Sequence, residues 1–193
     1  MAHKGLNRDV IVEEGCRLVE EKGIEAFSMR ELAARLNVRP AALYNHVESQ
    51  NALLQEMALR TAEQLRTLLA ESMEGKSPDE AFLAGARAYR RFAAEHPYGY
   101  QTLIRMPGSD DESLIRASFA SFAPLRELIR SYGAGEPATL HFLRCFRAAI
   151  HGFAELTANG FMMRGPATRD ETYELMIRAY LDQLKGLCTH EEI

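Results

Sequence analysis

Between residues 39 and 46 the chain reads Arg-Pro-Ala-Ala-Leu-Tyr-Asn-His. Arg39, Asn45 and His46 can donate hydrogen bonds to base edges or phosphates. Tyr44 can reach a phosphate through its hydroxyl, and the small side chains of Ala41 and Ala42 allow close approach to base edges and thymine methyls. This is chemistry for reading double-stranded DNA. Two other pairs point elsewhere: His141 with Cys145, and His151 with Glu155, each four residues apart on a helix. Either could hold a metal or set up a thiolate, but neither has a third ligand at supporting spacing. A buried histidine with one backbone partner accounts for each equally well. No metal, cofactor or catalytic residue is therefore expected, and the chain has no phosphate-cradling glycine loop, GxSxG or HExxH.

A pair of short helices would position the DNA-facing residues. Ser28 and Glu31 make a capping box, and Met29, Leu32, Ala33 and Leu36 form an apolar stripe at helical spacing. Leu36-Asn37 ends that helix, since Asn tolerates the left-handed backbone of a tight turn. Val38 would plug the angle between the helices. Pro40 suits the first turn of a second helix over 39–46, with Leu43 and Val47 facing inward. This is the spacing of a helix-turn-helix, whose second helix lies in the major groove. A polar-faced helical hairpin without a nucleic-acid partner has the same periodicity.

The rest of the chain is also helical in pattern. Residues 8–22 close at Gly23, and a long helix runs from 51 to about 74. Ser77-Pro78-Asp79-Glu80 opens another, ending near His96-Pro97. Ser109 with Glu112 starts a helix to Gly133 that Pro124 should kink. A helix over 137–160 and one capped by Thr168 with Glu171 complete the chain. No period-2 run of β-branched residues occurs, so the expected fold is all-α, with a domain over residues 1–50 and a helical body over 51–193. Nothing approaches a membrane span, and residues 1–8 lack the apolar stretch of a signal peptide. Three cysteines, at 16, 145 and 188, suit a reducing cytoplasm.

Residues 8–60 resemble the tetracycline-repressor (TetR) family of bacterial transcriptional regulators. The likeness lies in Ala26-Phe27-Ser28-Met29-Arg30-Glu31-Leu32-Ala33, Val38, Leu43-Tyr44-Asn45-His46-Val47 and Ala52-Leu53-Leu54, behind a leading helix that ends Glu20-Glu21-Lys22-Gly23. The resemblance implies a three-helix helix-turn-helix domain and a C-terminal ligand-binding and dimerisation domain. It also implies a cytoplasmic homodimer on a double-stranded DNA operator, released by a small-molecule effector. The DNA-contacting residues would be Ser28, Arg30, Arg39, Pro40, Ala41, Ala42, Tyr44, Asn45, His46 and Gln50. The dimer would form through helices near 137–160 and 171–187. Tyr89, Phe92, His96, Tyr100, Phe119, Phe122, His151 and Glu155 are candidates for the effector cavity, with Arg105 as a further polar anchor; the same aromatics also suit plain core. Ile150-His151-Gly152 is similar to the tryptophan–histidine–glycine motif of one subgroup, although this chain has no Trp.

Three positions depart from the family pattern. Asn37 stands for the turn glycine, Arg39 for a small polar residue, and Gln50 for a lysine that would pair with phosphate. Two readings from other classes remain: a small helical enzyme or carrier using the aromatic cavity with His151 or Cys145, and a helical adaptor for a protein partner.

The net charge of −4 argues against coating nucleic acid through bulk positive charge. Residues 1–60 hold eight Lys or Arg against nine Asp or Glu. Within 28–50, however, Arg30, Arg35 and Arg39 outnumber Glu31 and Glu48, and His3, Lys4 and Arg8 precede the first helix. The expected binding is local and base-directed, with little non-specific affinity at physiological salt.

Overall fold

Apolar residues at helical spacing, broken by glycine, proline and capping residues, form ten α-helices in the computed structural model, which describes residues 5–105, 110–162 and 164–187. They are α1 (Arg8–Lys22), α2 (Met29–Arg35), α3 (Pro40–Leu43), α4 (Gln50–Met73), α5 (Pro78–Glu95), α6 (Pro97–Arg105), α7 (Glu112–Ala120), α8 (Ala123–Ser131), α9 (Glu136–Ala158) and α10 (Arg169–Leu187). The chain divides into two compact units. One comprises residues 1–64 and 96–120, the other 65–95 and 121–193, so α4 contributes to both.

In the first unit, Ile11 and Leu18 of α1 are fully buried with Leu32 of α2, Leu43 of α3 and Leu53 of α4. α1 starts where the Asn7 side chain accepts the Val10 N–H at 3.0 Å, and ends at Gly23 with φ +83°. Gly15 lets α1 approach α4: a Cβ there would lie 2.8 Å from Met57 Sδ. Between α2 and α3 the backbone turns left-handed at Asn37, φ +54°. Asn adopts that region readily, whereas a β-branched side chain meets a penalty of about 1–2 kcal/mol. Asn37→Val is therefore expected to lower the unfolding free energy by about that amount, and Asn37→Gly to leave it nearly unchanged. Urea denaturation of both variants checks this; equal stability of the two would contradict it.

The core of the second unit is aromatic. Phe82 of α5 lies 4.9 Å from the Phe146 ring and 6.0 Å from Phe142, both of α9. Tyr180 of α10 packs edge-on against the same two phenylalanines. Tyr173 is buried, and its hydroxyl donates to the Ala86 carbonyl at 2.6 Å, so the polar atom is satisfied. The Thr168–Glu171 capping box forms reciprocally: Glu171 N–H donates to Thr168 Oγ1 at 3.1 Å and Thr168 N–H to the Glu171 carboxylate at 2.9 Å.

Two elements differ from expectation. The single kinked helix before Gly133 is instead two helices, α7 and α8, with Pro124 in the first turn of α8. Proline has no N–H, and its ring would clash with the carbonyl four residues earlier; that residue is Ala120, where α7 stops. Ser109 lies outside the described residues, and the α7 N-terminus is capped by Asp111, whose carboxylate accepts the Ser113 N–H at 2.7 Å. The second difference is α6, a separate helix opening at Pro97 where the periodicity of α5 ends. Among the described residues no helix is long and apolar enough to cross a membrane.

Candidate nucleic-acid interface

The interface is built on three locally determined features of the first unit. Ser28 caps α2, its Oγ accepting the Glu31 N–H at 3.2 Å. The return half of the expected capping box does not form, because the Glu31 carboxylate pairs with Lys22 of α1 instead. The turn is closed by the Val38 N–H, which donates to the Ala33 carbonyl at 2.9 Å, and Val38 packs on the buried cluster.

α3 is shorter than the helix expected over 39–46. Arg39 is its extended N-cap residue, at φ −80° and ψ 146°, and regular helix spans only Pro40–Leu43. The Leu43 carbonyl then accepts both the His46 N–H at 2.9 Å and the Val47 N–H at 3.1 Å, so residues 44–46 form a tightened closing turn. Leu43 and Val47 are buried, as their spacing predicts. Arg39, Pro40, Ala41, Tyr44 and Asn45 are exposed, with Tyr44 at 50%, while Ala42 and His46 are half-buried. Arg30 is exposed on α2, and Gln50 is exposed at the start of α4. Ser49 caps that end by accepting the Ala52 N–H at 3.0 Å. An exposed tyrosine beside an exposed arginine, fixed from behind by two buried aliphatics, can offer a phenol to phosphate and a guanidinium to base or phosphate.

The arginines are not equivalent. Arg35 donates to Glu21 through both terminal nitrogens, at 2.5 and 2.8 Å, and to Glu14 through Nε at 2.7 Å. These carboxylates, Glu21 foremost, raise its already high pKa. Arg8 is likewise held by Glu56. Arg30 and Arg39 make no ion pair among the described residues. Expected as one of three cations offsetting Glu31 and Glu48, Arg35 instead clamps α2 to α1. His3 and Lys4 lie outside the described residues. Arg35→Ala is accordingly expected to change the affinity of the folded protein for specific DNA by less than about twofold, within the range of a surface substitution. Fluorescence anisotropy measures this, and a tenfold loss would place Arg35 on the DNA.

A second long-range contact carries no local sequence signal. The Glu20 carboxylate of α1 accepts the Gly99 N–H at 3.1 Å and the Tyr98 N–H at 3.4 Å, in the first turn of α6. It satisfies two of the donors that a helix start leaves open.

The effector candidates are divided between the two units. Tyr89, Phe92, Phe122, His151 and Glu155 belong to the second unit, and His96, Tyr100 and Phe119 to the first. Tyr89 and Phe122 meet edge-on at 5.3 Å, and the Arg147 guanidinium sits 4.0 Å from the Phe122 ring centre. The space they share with Leu69, Gly85 and Phe146 does not admit a water molecule. Phe92 is buried, and His151 is half-buried. Glu155 is exposed on α9 and accepts from Asn159 Nδ2 at 3.1 Å. In the first unit, Tyr100 is buried, His96 is half-buried and Phe119 is 57% exposed. The Arg105 side chain lies outside the described residues, as does Cys188. Cys16 and Cys145 are free thiols, and no group of three metal-ligating side chains occurs among the described residues.

Comparison with known proteins agrees along the chain. Residues 11–57 match the family of bacterial regulatory proteins of the tetR type, and residues 82–180 match the tetracyclin repressor-like C-terminal domain. An uncharacterised HTH-type transcriptional regulator of Mycobacterium tuberculosis is 32% identical over 158 residues, covering 81% of this chain and 72% of that one. Another, from Bacillus subtilis, is 30% identical and covers 93% of each chain. Among solved structures, the TetR-family protein ActR of Streptomyces coelicolor in complex with (S)-DNPA superposes with a TM-score of 0.69 at 20% identity, covering 96% of this chain and 99% of that one.

Proposed function

The chain belongs to the tetracycline-repressor family of bacterial transcriptional regulators, and on that premise we propose that it is a dimeric, cytoplasmic, one-component repressor. Arg39 and Tyr44, with Ala41, Ala42, Asn45 and His46, read base edges and grip phosphates in the major groove. Ser28, Arg30, Pro40 and Gln50 contact the flanking backbone. The observation that carries this reading is the split exposure of the α3 segment: Leu43 and Val47 are buried while Arg39, Ala41, Tyr44 and Asn45 face outward. A protein-binding adaptor would not need small residues at 41 and 42 between two hydrogen-bonding side chains.

The dimer forms through α9 and α10, and residues 1–50 act as the DNA-binding domain of each protomer. Support comes from the outward apolar and small residues of α9: Leu140, Ala148, Gly152 and Leu156 repeat at intervals of four or eight, and a Cβ on Gly152 would meet no atom within 4 Å. Leu175 of α10 is 72% exposed. Two recognition segments related by a two-fold axis require a pseudo-palindromic operator. A small effector acts by preferring the conformation that fits the operator poorly, and weakens binding by its differential affinity for the two states. The ligand-bound ActR structure supports effector binding as a property of the fold. We read the chain as a binding protein rather than an enzyme. An electrophoretic mobility assay on the DNA upstream of its own gene tests the reading. A specific shift at low salt is expected, and its absence would count against a repressor of its own gene.

A further inference from the structure

We propose that the first unit carries a small-molecule site of its own, a cleft between α1, α4 and the start of α6 that takes a small organic acid with an apolar or aromatic body. The cleft has a volume of about 260 Å³. At about 30 Å³ per water-sized group this holds roughly nine such groups, close to the size of an aryl carboxylic acid and just below the range of drug-sized pockets. By contrast, the space among Tyr89, Phe122 and Phe146 of the second unit leaves no room for water.

The lining selects the chemistry. Val19, Met57 and Ala58 are buried and give the cleft an apolar wall. Of its charged groups, the Glu13 carboxylate is engaged by Arg17, and the Glu20 carboxylate by the Tyr98 and Gly99 N–H groups. Arg60 is half-buried on α4 and makes no ion pair among the described residues. With Glu13 ion-paired and Glu20 hydrogen-bonded to backbone, Arg60 is the lining guanidinium without a direct partner among the described residues, and a planar guanidinium beside an apolar wall suits a carboxylate bidentately. The Cys16 thiol also lines the cleft. Burial pushes its pKa up to about 11, so it adds no competing negative charge at neutral pH. Because the cleft is walled by α1, which carries α2 on its buried face, and by the helix start that Glu20 caps, an occupant bears on the elements that hold the DNA-reading segment. That consequence rests on the proposed repressor function; the binding itself does not.

Cys16 supplies a built-in reporter. The full chain is alkylated with iodoacetamide at pH 8.5 with and without benzoate, and modification of each cysteine is followed by peptide mass spectrometry. Saturating benzoate is expected to slow alkylation of Cys16 at least fivefold and leave that of Cys145 unchanged. Benzamide, which has the same shape without the charge, should protect at least tenfold less well. Arg60→Gln should raise the benzoate concentration for half-protection at least tenfold, while Arg60→Lys keeps part of the effect. Circular dichroism confirms that both variants are folded. Cys16 reactivity indifferent to benzoate, or equal protection in wild type and Arg60→Gln, would overturn the site. A protein that protects Cys16 as described yet binds no operator keeps this site and loses the repressor reading; the reverse result loses only the site.

Discussion

Replacing Phe82 with alanine is expected to lower the unfolding free energy by about 3–5 kcal/mol, as for other buried aromatic truncations. Phe82 is fully buried. Its ring is the point at which α5 meets Phe142 and Phe146 of α9, and those two rings in turn support Tyr180 of α10. Removing it deletes the apolar burial and leaves a void that three rings held by their own contacts cannot readily fill. The loss is a large fraction of the 5–15 kcal/mol by which domains are typically stable. Phe119→Ala is the control: that ring is 57% exposed, and a change within about 0.5 kcal/mol is expected. Both are measured by urea denaturation at one fixed protein concentration, because the proposed dimer would make apparent stability concentration-dependent. A Phe82→Ala loss below 1 kcal/mol would contradict the account of the second unit's core.

The second large effect concerns DNA. Arg39→Ala and Tyr44→Ala each remove one exposed donor from the α3 segment without touching Leu43 or Val47. Each is expected to weaken the specific complex by about 1–3 kcal/mol, so the double variant should lose about 2–6 kcal/mol if the sites act independently. The lower bound is already some thirtyfold in affinity. The unfolding free energy should stay within about 0.5 kcal/mol of wild type, since both side chains point to solvent. Anisotropy titrations with unchanged affinity would remove these two residues from the interface. Salt dependence separates their roles: a lost phosphate contact lowers the slope of log K against log salt by about 1, and a lost base contact leaves it unchanged.

What could be read in the sequence was what local chemistry decides. The α2–turn–α3 unit is legible because Ser28, Asn37 and Pro40 act within a few residues of themselves, and Leu32, Leu43 and Val47 announce their burial by spacing. The contacts that escaped are long-range. Arg35 reads as a cation available to DNA until Glu14 and Glu21, 21 and 14 residues earlier, are brought against it by the packing of α1 on α2. Glu20 and the first turn of α6 are almost eighty residues apart, so nothing local marks either as a partner. Pro124 was legible as a disturbance but not as a break, because the outcome depends on whether a second helix can restart with its own buried face, as Leu125 and Ile129 allow. The effector residues were least legible. Aromatic side chains at helical spacing are the same whether they fill a core or line a cavity, and only their packing separates buried Tyr89 and Phe122 from exposed Phe119.

The acidic balance of the chain takes on a sharper meaning once the ion pairs are placed. With Arg8 held by Glu56 and Arg35 by Glu14 and Glu21, the proposed DNA-reading segment offers Arg30 and Arg39 as guanidinium groups without an ion pair among the described residues. Few phosphate contacts mean a shallow salt slope and weak non-specific binding. In the proposed repressor, specific affinity is then expected mainly from base contacts and from a two-fold repeated site.

The most direct measurement of the central claim is a selection of binding sequences from random duplex DNA by the full chain, read out at low salt. An enriched pseudo-palindrome is expected, its half-sites separated by one helical turn of DNA or a multiple of it, about 10 base pairs each. The same selection with the Arg39→Ala, Tyr44→Ala double variant should yield no such enrichment. A wild-type pool without any enriched sequence, or one enriched equally by the double variant, would contradict the assignment of the α3 segment as the DNA reader.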